Sequence, residues 1–374
     1  MPPLAQRNLF HDKVRLAVTL TGIIFAVVLI IVQIGLFIGF TATTSGIIDH
    51  AGADIWVGSK RVPYLEQATP FSERKLYQVL AIPGVAEAQK YIVRFSDWQR
   101  GDGRHEGILI VGFDLALRYG GPWNVVAGRM MDLKQPDAVM IDTLYAAKLG
   151  VARPGQTFEI QGRRARVVGF TEGIRAFTTT PYVFTTFKNA LGYTQLREDQ
   201  TLYILVKAKP GAGLQALKRR IAERVPGVDV FTAAEFSHLT RSYWMFSTGA
   251  GIAVLLAAVL GLVVGIVVVA QTIYATTVDH LREYGTLKAI GAPNAFVYRV
   301  ILKQALISAC IGYVAGMIVS LFVVHGSQKG GASILLPWPL GVGMFGLTLL
   351  MCIIAAVVSI NKATRLDPAM VFKE

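Results

Sequence analysis

Residues 16–40 read LAVTLTGIIFAVVLIIVQIGLFIGF, a run that contains no charged side chain. A bilayer core of about 30 Å is crossed by about 20 apolar residues in an α-helix, since each residue rises 1.5 Å. The run therefore predicts a transmembrane helix. It is far longer than the roughly 7–15 apolar residues of a secretory signal peptide, which favours an uncleaved anchor.

Three further apolar runs lie near the C-terminus, at 246–273, 297–324 and 336–360. Only 16% of the chain is charged and 53% is hydrophobic, whereas soluble domains are about a quarter charged. We expect an α-helical membrane protein with four transmembrane helices and a mixed α/β domain between the first two. The predicted segments are 1–15, helix 1 at 16–40, the α/β domain at 41–245, helix 2 at 246–273, a loop at 274–296, helix 3 at 297–324, a short loop at 325–335, helix 4 at 336–360 and a tail at 361–374.

Orientation follows from the lysines and arginines beside the helix ends, because these mark the cytoplasmic side. Both chain ends and the 274–296 segment carry them: Arg7, Lys13, Arg15, Arg282, Lys288, Arg299, Lys362, Arg365 and Lys373. In the 325–335 loop, Lys329 is the only lysine or arginine. The segments 1–15, 274–296 and 361–374 are therefore predicted to be cytoplasmic, and the α/β domain and the 325–335 loop to lie on the other, extracytoplasmic side.

The segment 41–245 holds 26 Lys and Arg against 19 Asp and Glu, a net charge of +7 within the +13 of the chain. The charge is spread along the segment, with its densest pieces at 163–166 and 218–220. It fits a solvated surface or a mildly anionic ligand, and a location outside the cytoplasm argues against nucleic acid as a partner. The two cysteines, Cys310 and Cys352, fall in predicted membrane helices, so no disulfide framework is expected in the domain.

Within 41–245, strand-like and helix-like stretches alternate. Ser72 predicts the N-cap of a first helix, and 214–225 predicts a second. Both helices end in a Pro-Gly stop followed by a strand, at 82–85 (IPGV) and 225–228 (VPGV). We interpret this internal echo as two related βαβ halves with a β-rich insertion between them.

No residue pattern in the chain carries recognisable catalytic chemistry. His50, His105 and His238 lie far apart and lack metal-ligand spacing, so no metal is expected. Gly-x-Ser-x-Gly is absent, and so is G-x-x-x-x-G-K-[ST], the loop that cradles nucleotide phosphates. We expect a non-catalytic chain without a cofactor of its own; if ATP drives it, another chain binds the nucleotide.

The cytoplasmic stretch 276–293 reads TTVDHLREYGTLKAIGAP. Apolar side chains recur every three residues and form a narrow stripe along a short helix, which Gly291 and Pro293 end. The stripe consists of Val278, Leu281, Tyr284, Leu287 and Ile290. Periodicity alone fits both a helix that rests on the membrane surface and one that docks on a partner protein.

Residues 282–292, REYGTLKAIGA, resemble the R-E-x-G-x-x-[KR]-A-[IV]-G-A motif of FtsX/MacB-type ABC transporter permeases, and are most similar to the DevC-like, permease-only branch. Leu9, Arg15 and Gly22-Ile23 resemble the family's approach to its first helix, and 365–369 (RLDPA) its C-terminal ending. The layout of one helix, a large domain and three helices is also the family's own. The resemblance implies a MacB-like periplasmic core with a β-rich insertion, in the bacterial inner (cytoplasmic) membrane.

The resemblance further implies that 274–296 contains a coupling helix that docks on a separate ABC ATPase, where ATP and Mg²⁺ bind. ATPase closure would move helix 2 and the periplasmic domain, which is mechanotransmission and not passage of substrate through a membrane channel. The coupling residues carried over are Val278, His280, Leu281, Arg282, Glu283, Tyr284, Gly285, Leu287, Lys288, Ile290 and Gly291.

Several partners follow from the same resemblance. A second permease copy would complete a homodimer, and in the DevC-like branch a periplasmic adaptor (membrane fusion protein) and an outer-membrane channel complete a tripartite exporter. Two alternatives stay open: a lipoprotein- or lipid-extracting permease like the Lol system, and an FtsX-like regulator of a cell-wall hydrolase. The β-rich insertion argues against the regulator, because those relatives carry smaller periplasmic domains.

Three Gly-x-x-x-Gly pairs lie in the predicted membrane helices, and such pairs let helix backbones approach closely. We predict that they serve helix packing, with the first two pairs at the dimer contact, and that membrane lipids cover the remaining helix faces. The pairs are Gly35 and Gly39, Gly261 and Gly265, and Gly312 and Gly316.

Overall fold

The computed structural model describes residues 13–279, 286, 293–328 and 333–364. The chain divides into two compact units. The membrane unit comprises the residues up to Gly39 and those from Ile252 onward, and the α/β domain comprises Phe40–Gly251.

The described residues form helices of very different length. The α-helices are α1 Lys13–Thr44, α2 Gly46–His50, α3 Lys75–Leu80, α4 Ala146–Leu149, α5 Phe187–Tyr193, α6 Leu214–Arg224, α7 Ala233–Ser242, α8 Ala250–Asp279, α9 Asn294–Gln328 and α10 Trp338–Thr364. Shorter turns are the 3₁₀ segments Met130–Lys134 and Thr143–Tyr145 and a π-helical turn, Tyr243–Ser247.

The strands all belong to the α/β domain. They are β1 Ile55–Ser59, β2 Phe71–Ser72, β3 Val85–Gln99, β4 His105–Phe113, β5 Val125–Ala127, β6 Ala138–Asp142, β7 Thr157–Ile160, β8 Arg163–Thr171, β9 Tyr182–Thr186, β10 Gln200–Thr201, β11 Tyr203–Ala208 and β12 Val228–Thr232.

Four helices, α1, α8, α9 and α10, are long and apolar enough to cross a membrane. An α-helix suits this environment because it pairs its backbone N–H and C=O groups internally, where no water is available. The four helices confirm the predicted membrane part of the fold. Their ends differ from the hydropathy runs: α8 begins at Ala250 and continues to Asp279, since residues 243–247 form the separate π-helical turn.

Helix α1 supplies the centre of the membrane unit. One of its faces is buried by the other helices, and α8 and α9 approach it through glycines. A Cβ on Gly312 would lie 2.5 Å from Ile23 Cγ2, and a Cβ on Gly265 would lie 2.8 Å from Ile30 Cδ1. Both distances are too short for a real side chain, so only glycine fits the observed spacing. The buried face of α1 comprises Ile23, Ala26, Val27, Ile30 and Ile31.

The α/β domain is built on one ten-stranded sheet. The strand order is β12-β1-β11-β3-β4-β9-β6-β8-β5, and β7 pairs with both β3 and β8. Neighbouring strands are antiparallel except for the parallel pairs β4–β9 and β6–β8. Strands β2 and β10 form a separate two-stranded sheet.

Strands β12, β1, β11 and β3 contain two interleaved βαβ units. Strand β1 leads through α3 to β3, and β11 leads through α6 to β12. Each unit holds one antiparallel strand of the other between its own two strands. This is the split βαβ arrangement of ferredoxin-like folds. This arrangement puts the two Pro-Gly turns in equivalent positions, as the similarity of the sequences 82–85 and 225–228 predicts. Gly84 and Gly227, the glycines of these turns, both adopt a positive φ, at 104° and 75°.

Both faces of the two central strands, β1 and β11, are covered, which explains their largely apolar sequences, IWVGS and YILVKA. Successive side chains of a strand point to opposite faces. Trp56 and Tyr203 therefore pack with Phe236 of α7 in one core, whereas Ile55 and Ile204 belong to the other core, against α3 and α6. Strands β4 to β9 form the β-rich insertion and widen the sheet beyond β3.

Within the α/β domain, the predicted N-cap of the first helix at Ser72 is wrong. Ser72 lies in β2, where it pairs with Gln200 of β10, and α3 begins only at Lys75 after Arg74. The backbone N–H of Glu73 donates to Asp199 O at 2.8 Å. Pairing with a strand more than a hundred residues away thus overrides the local N-cap signal of Ser72.

We expect Gly312→Ala to destabilise the membrane unit, because the added methyl group would overlap Ile23. Overpacking of this kind costs about 1–3 kcal/mol. Thermal unfolding of the full chain in detergent measures it as a drop of several degrees in Tm relative to the unsubstituted chain.

Gly346→Ala is the matched control, since Gly346 also lies in a membrane helix, α10, and a Cβ there meets no atom within 4 Å. Alanine is the better helix former, so this variant should keep or slightly raise the Tm. Equal loss of Tm in both variants would contradict the close packing of α9 on α1.

Candidate functional site

The predicted coupling segment lies almost entirely outside the described residues. Val278 is half-buried in the last turn of α8. The other predicted coupling residues stay a prediction, and they are His280, Leu281, Arg282, Glu283, Tyr284, Gly285, Leu287, Lys288, Ile290 and Gly291.

The six predicted packing glycines lie against other parts of the same chain. A Cβ on Gly261 would lie 2.9 Å from Gln33 Cγ, and one on Gly316 would lie 2.9 Å from Val27 Cβ. Gly35 and Gly39 instead approach the segment before α10: a Cβ on Gly39 would lie only 1.7 Å from the carbonyl oxygen of Ser333. Contacts within one chain therefore account for the close approach at all three pairs, and the dimer contact stays a prediction.

Side-chain hydrogen bonds hold the two chain ends of the α/β domain together, the end that follows α1 and the end that precedes α8. Arg241, near the end of α7, donates from Nε to Ser45 Oγ and from Nη2 to Asp49 Oδ2, both at 2.7 Å. The Ser45 hydroxyl donates in turn to Asp49 Oδ2, at 2.7 Å. Ser45 is fully buried, whereas the Arg241–Asp49 ion pair is partly exposed. Two charge-assisted hydrogen bonds thus tie the first helix of the domain, α2, to its last, α7.

Residues 243–249 separate α7 from α8. The π-helical turn Tyr243–Ser247 follows α7, and Thr248 and Gly249 come next. Gly249 has a φ of 72°, a conformation that residues with a side chain rarely adopt. Single π-helical turns are frequent at functional sites. The link between α7 and α8 is therefore an interruption of the helix, called the joint below, and not one continuous helix.

A row of aromatic rings lines this joint. Tyr243 stacks on Tyr64 with ring centroids 4.2 Å apart, and Trp244 packs at steep angles against Tyr64 and Phe177, at 5.2 and 4.6 Å. Phe177 in turn contacts Phe40 of α1 edge-on, at 4.7 Å. The row therefore connects the π-helical turn with the end of α1.

Glu66 lies beside the aromatic row. Its side chain is hydrogen-bonded with Trp244, while its Oε2 is buried and has no hydrogen-bond partner within the described residues. Burial raises the pKa of Glu66 to about 7, against the lowering effect of its hydrogen bonds. We refer to the following set as the junction cluster: Phe40, Ser45, Asp49, Tyr64, Glu66, Phe177, Arg241, Tyr243 and Trp244.

The other end of α7 is fixed to the sheet. Thr232, the last residue of β12, caps α7 by accepting from Glu235 N, and the Glu235 carboxylate accepts from Thr232 N at 2.8 Å. The same carboxylate accepts from Lys218 Nζ of α6 at 2.7 Å. Burial acts against ionisation, but the bonds from Lys218, Thr232 and Gln215 outweigh it and lower the pKa of Glu235 to about 2. Helix α7 is thus anchored at one end and jointed at the other.

The sequence carried a signal for α7 that our prediction missed. Thr232 and Glu235 form the S/T-x-x-E pattern of a capping box. The junction cluster had no comparable signal, because Asp49 and Arg241 lie 192 residues apart and their contact depends on the whole domain. Among the described residues, no three His, Cys, Asp or Glu side chains are placed to hold a metal ion.

We predict that Glu66→Gln flattens the pH dependence of stability. The pKa of Glu66 is about 7 in the fold against a usual 4.5, so the fold favours the protonated acid. This stabilisation is complete below pH 4.5 and is lost as the pH rises through 7, by up to about 3 kcal/mol at 1.36 kcal/mol per pKa unit. Thermal unfolding of the full chain at pH 5 and pH 8 measures it.

The unsubstituted chain should lose more Tm between pH 5 and pH 8 than Glu66→Gln. Glu87→Gln is the control, since Glu87 is an exposed carboxylate of the same domain. An identical pH dependence in all three proteins would contradict a buried, protonated Glu66.

Comparison with protein families covers nearly the whole chain. Residues 16–224 match the family model of the MacB-like periplasmic core domain, and residues 242–368 match that of the FtsX-like permease C-terminal domain. The first match alone spans more than half of the chain.

Curated relatives and solved structures are similar at lower identity. Two uncharacterized ABC transporter permeases of Mycobacterium tuberculosis (strain ATCC 25618 / H37Rv) are 25% and 26% identical, over 98% of this chain and 98% of each relative. The periplasmic region of MacB from Actinobacillus actinomycetemcomitans is 10% identical, with a TM-score of 0.39 over 50% of this chain and 92% of that one. The extracellular domain of the transporter YknZ from Gram-positive bacteria is 14% identical, with a TM-score of 0.37 over 48% and 98%. The two family matches, which together take in the α/β domain and the helices after it, make this chain a member of the FtsX/MacB-type ABC transporter permeases.

Proposed function

We propose that this chain is the permease subunit of an ATP-driven exporter in the bacterial inner membrane, and that it transmits closure of a separate ATPase to its α/β domain. An ABC transporter permease works with an ATPase partner.

Helix α8 is the observation that carries the proposal. It is 30 residues long, or about 45 Å at 1.5 Å per residue, and it is unbroken. Its first residue follows the joint of the junction cluster, and its last is followed directly by the segment that resembles the family's coupling motif. A rigid rod between a docking segment and a joint is suited to carry a displacement from one to the other.

On the cytoplasmic side, we propose that Val278 and residues 280–291 dock on the ATPase, which binds ATP and Mg²⁺. The chain itself contains no G-x-x-x-x-G-K-[ST] sequence. This supports hydrolysis on the partner and a non-catalytic role for the permease.

On the other side, we propose that α7 moves with the sheet and that the π-helical turn passes the displacement of α8 on to it. The Glu235 contacts to Lys218 and Thr232 hold α7 to α6 and β12, and the Arg241 bonds hold it to α2. The two ends of the domain would therefore respond together to a displacement of α8.

A second copy of the chain, a periplasmic adaptor and an outer-membrane channel complete the proposed assembly. Support for a second copy comes from α8, whose outward side chains Leu256, Leu260 and Val263 are exposed in one chain. These side chains suit either lipid acyl chains or a second permease.

The proposed transmission predicts that the joint changes when the ATPase binds nucleotide. Phe246, which is 68% exposed in the π-helical turn, is replaced in a chain whose Cys310 and Cys352 have been changed to alanine. We expect the labelling rate of Phe246→Cys by an impermeant maleimide to change at least twofold between nucleotide-free and ATP/vanadate-trapped complexes. Adding Glu283→Ala should abolish the change.

Val126→Cys is the matched control, because Val126 is 50% exposed on β5, away from the joint. Its labelling should not respond to nucleotide. If Phe246→Cys labels at one rate in both states while the co-purified ATPase hydrolyses ATP, the transmission proposal fails. If no ATPase co-purifies with the tagged chain, the subunit assignment fails as well.

A further inference from the structure

Helices α3 and α6 form one layer over a face of the sheet, the face opposite to α7. They run antiparallel and side by side. Lys75, at the start of α3, donates to the carbonyl oxygen of Pro226 beyond the end of α6, and a Cβ on Gly84, beyond α3, would lie 3.4 Å from Leu217 of α6. Residues 74–82 and 209–227, which contain both helices, are referred to below as the helical layer.

The helical layer holds nearly all of the net charge of the domain. It contains seven basic residues and one acidic residue, Glu223, and the basic residues are Arg74, Lys75, Lys209, Lys218, Arg219, Arg220 and Arg224. Since 41–245 holds 26 basic and 19 acidic residues, the remainder has 19 and 18 and is almost neutral. The charge is spread along the sequence, but the fold gathers its excess, because Lys75 and Pro226, which are 151 positions apart, meet in this layer.

Most of these charges are not used inside the domain. Lys218 binds Glu235, and Lys75 binds the Pro226 carbonyl group. Arg74, Arg219 and Arg224 are exposed, and no carboxylate of the described residues lies within ion-pair distance of them. Like charges gathered without internal partners lower the stability of the domain, so folding alone gives no reason for the arrangement.

The exposed side of the layer also carries apolar side chains. Tyr77 is 67% exposed, and Leu80 and Leu214 are 41% and 40% exposed. Tyr and Arg are the residue types that dominate binding energy at protein interfaces. The apolar faces of both helices are buried against the sheet, with Val79 and Leu217 fully enclosed. Tyr77, Leu80 and Leu214 stand among basic side chains, and they do not form the continuous apolar face with which an amphipathic helix lies in a bilayer.

We infer that the helical layer docks the acidic surface of an extracytoplasmic protein partner. Guanidinium groups pair with carboxylates in a bidentate geometry, so the exposed Arg74, Arg219 and Arg224 suit Asp and Glu side chains of a partner. Tyr77 and Leu80 supply the apolar centre that such an interface needs. This inference rests on the proposed function in one respect, that the domain works with a protein outside the cytoplasm, and it adds the place and the charge of the contact.

The test places a photo-crosslinking amino acid, p-benzoylphenylalanine, at residue 77 of the full chain in its native bacterium. We expect one dominant adduct to an extracytoplasmic protein, with an Asp- and Glu-rich peptide at the attachment site in mass spectrometry. The triple variant Arg74→Glu, Arg219→Glu and Arg224→Glu should lower the adduct yield at least tenfold. Raising NaCl from 0.1 to 0.5 M in isolated envelopes should lower it several-fold, because exposed charges are screened.

The matched control reverses three exposed arginines of the same domain outside the layer: Arg94→Glu, Arg118→Glu and Arg153→Glu. It makes the same change in net charge and should keep the adduct. An adduct to phospholipid, the absence of an adduct, or equal loss in both triple variants would overturn the inference.

Both triple variants are first checked for an unchanged Tm of the purified chain, so that loss of the adduct does not reflect unfolding. Recovery of the ATPase is measured in the same preparations and decides the proposed function separately. A chain that retains its ATPase but gives no protein adduct at residue 77 would leave the permease assignment standing and remove this docking surface alone.

Discussion

Strands β1 and β12, the first and last strands of the α/β domain, lie side by side. This pairing brings the two ends of the domain together, and the arrangement of its other elements depends on it. Their register joins Ile55 to Thr232 and Ser59 to Val228. A domain inserted between two membrane helices has to bring its ends together, and closing a loop of almost 200 residues costs about 5 kcal/mol in chain entropy, apart from a constant. The sheet supplies that closure, and the bonds from Arg241 to Ser45 and Asp49 then fix the two short helices at the ends.

The parts of the domain differ in how firmly they are held together. The sheet and α7 form a stiff body, since Glu235 holds the start of α7 to both α6 and β12. The regular α-helical pattern ends after α7, where the π-helical turn and Gly249 interrupt the helix. In the membrane unit the same contrast recurs: α1 is tightly enclosed through glycine contacts, whereas long faces of α8 and α10 remain exposed.

Much of the fold could be predicted from the sequence, because hydropathy and turn chemistry are local. The four membrane helices follow from apolar runs of sufficient length, and the two Pro-Gly turns predict the βαβ halves that interleave in the sheet. Ser72 shows where local reading fails, since strand pairing with Gln200 competes with helix capping and wins. The junction cluster and the charge of the helical layer could not be predicted, because each is made of residues that only the finished sheet brings together.

The interleaving of the two βαβ units also sets the order of events during synthesis. Strand β1 has neither of its neighbours, β11 and β12, until almost the whole domain has been made. At about 5–20 residues per second, the 168 residues between Ser59 and Val228 take about 8–34 s to be made. For that time the apolar residues of β1, Ile55, Trp56 and Val57, have no sheet to join. The nascent domain thus has to carry an unpaired apolar strand behind α1 until its last strand has been made.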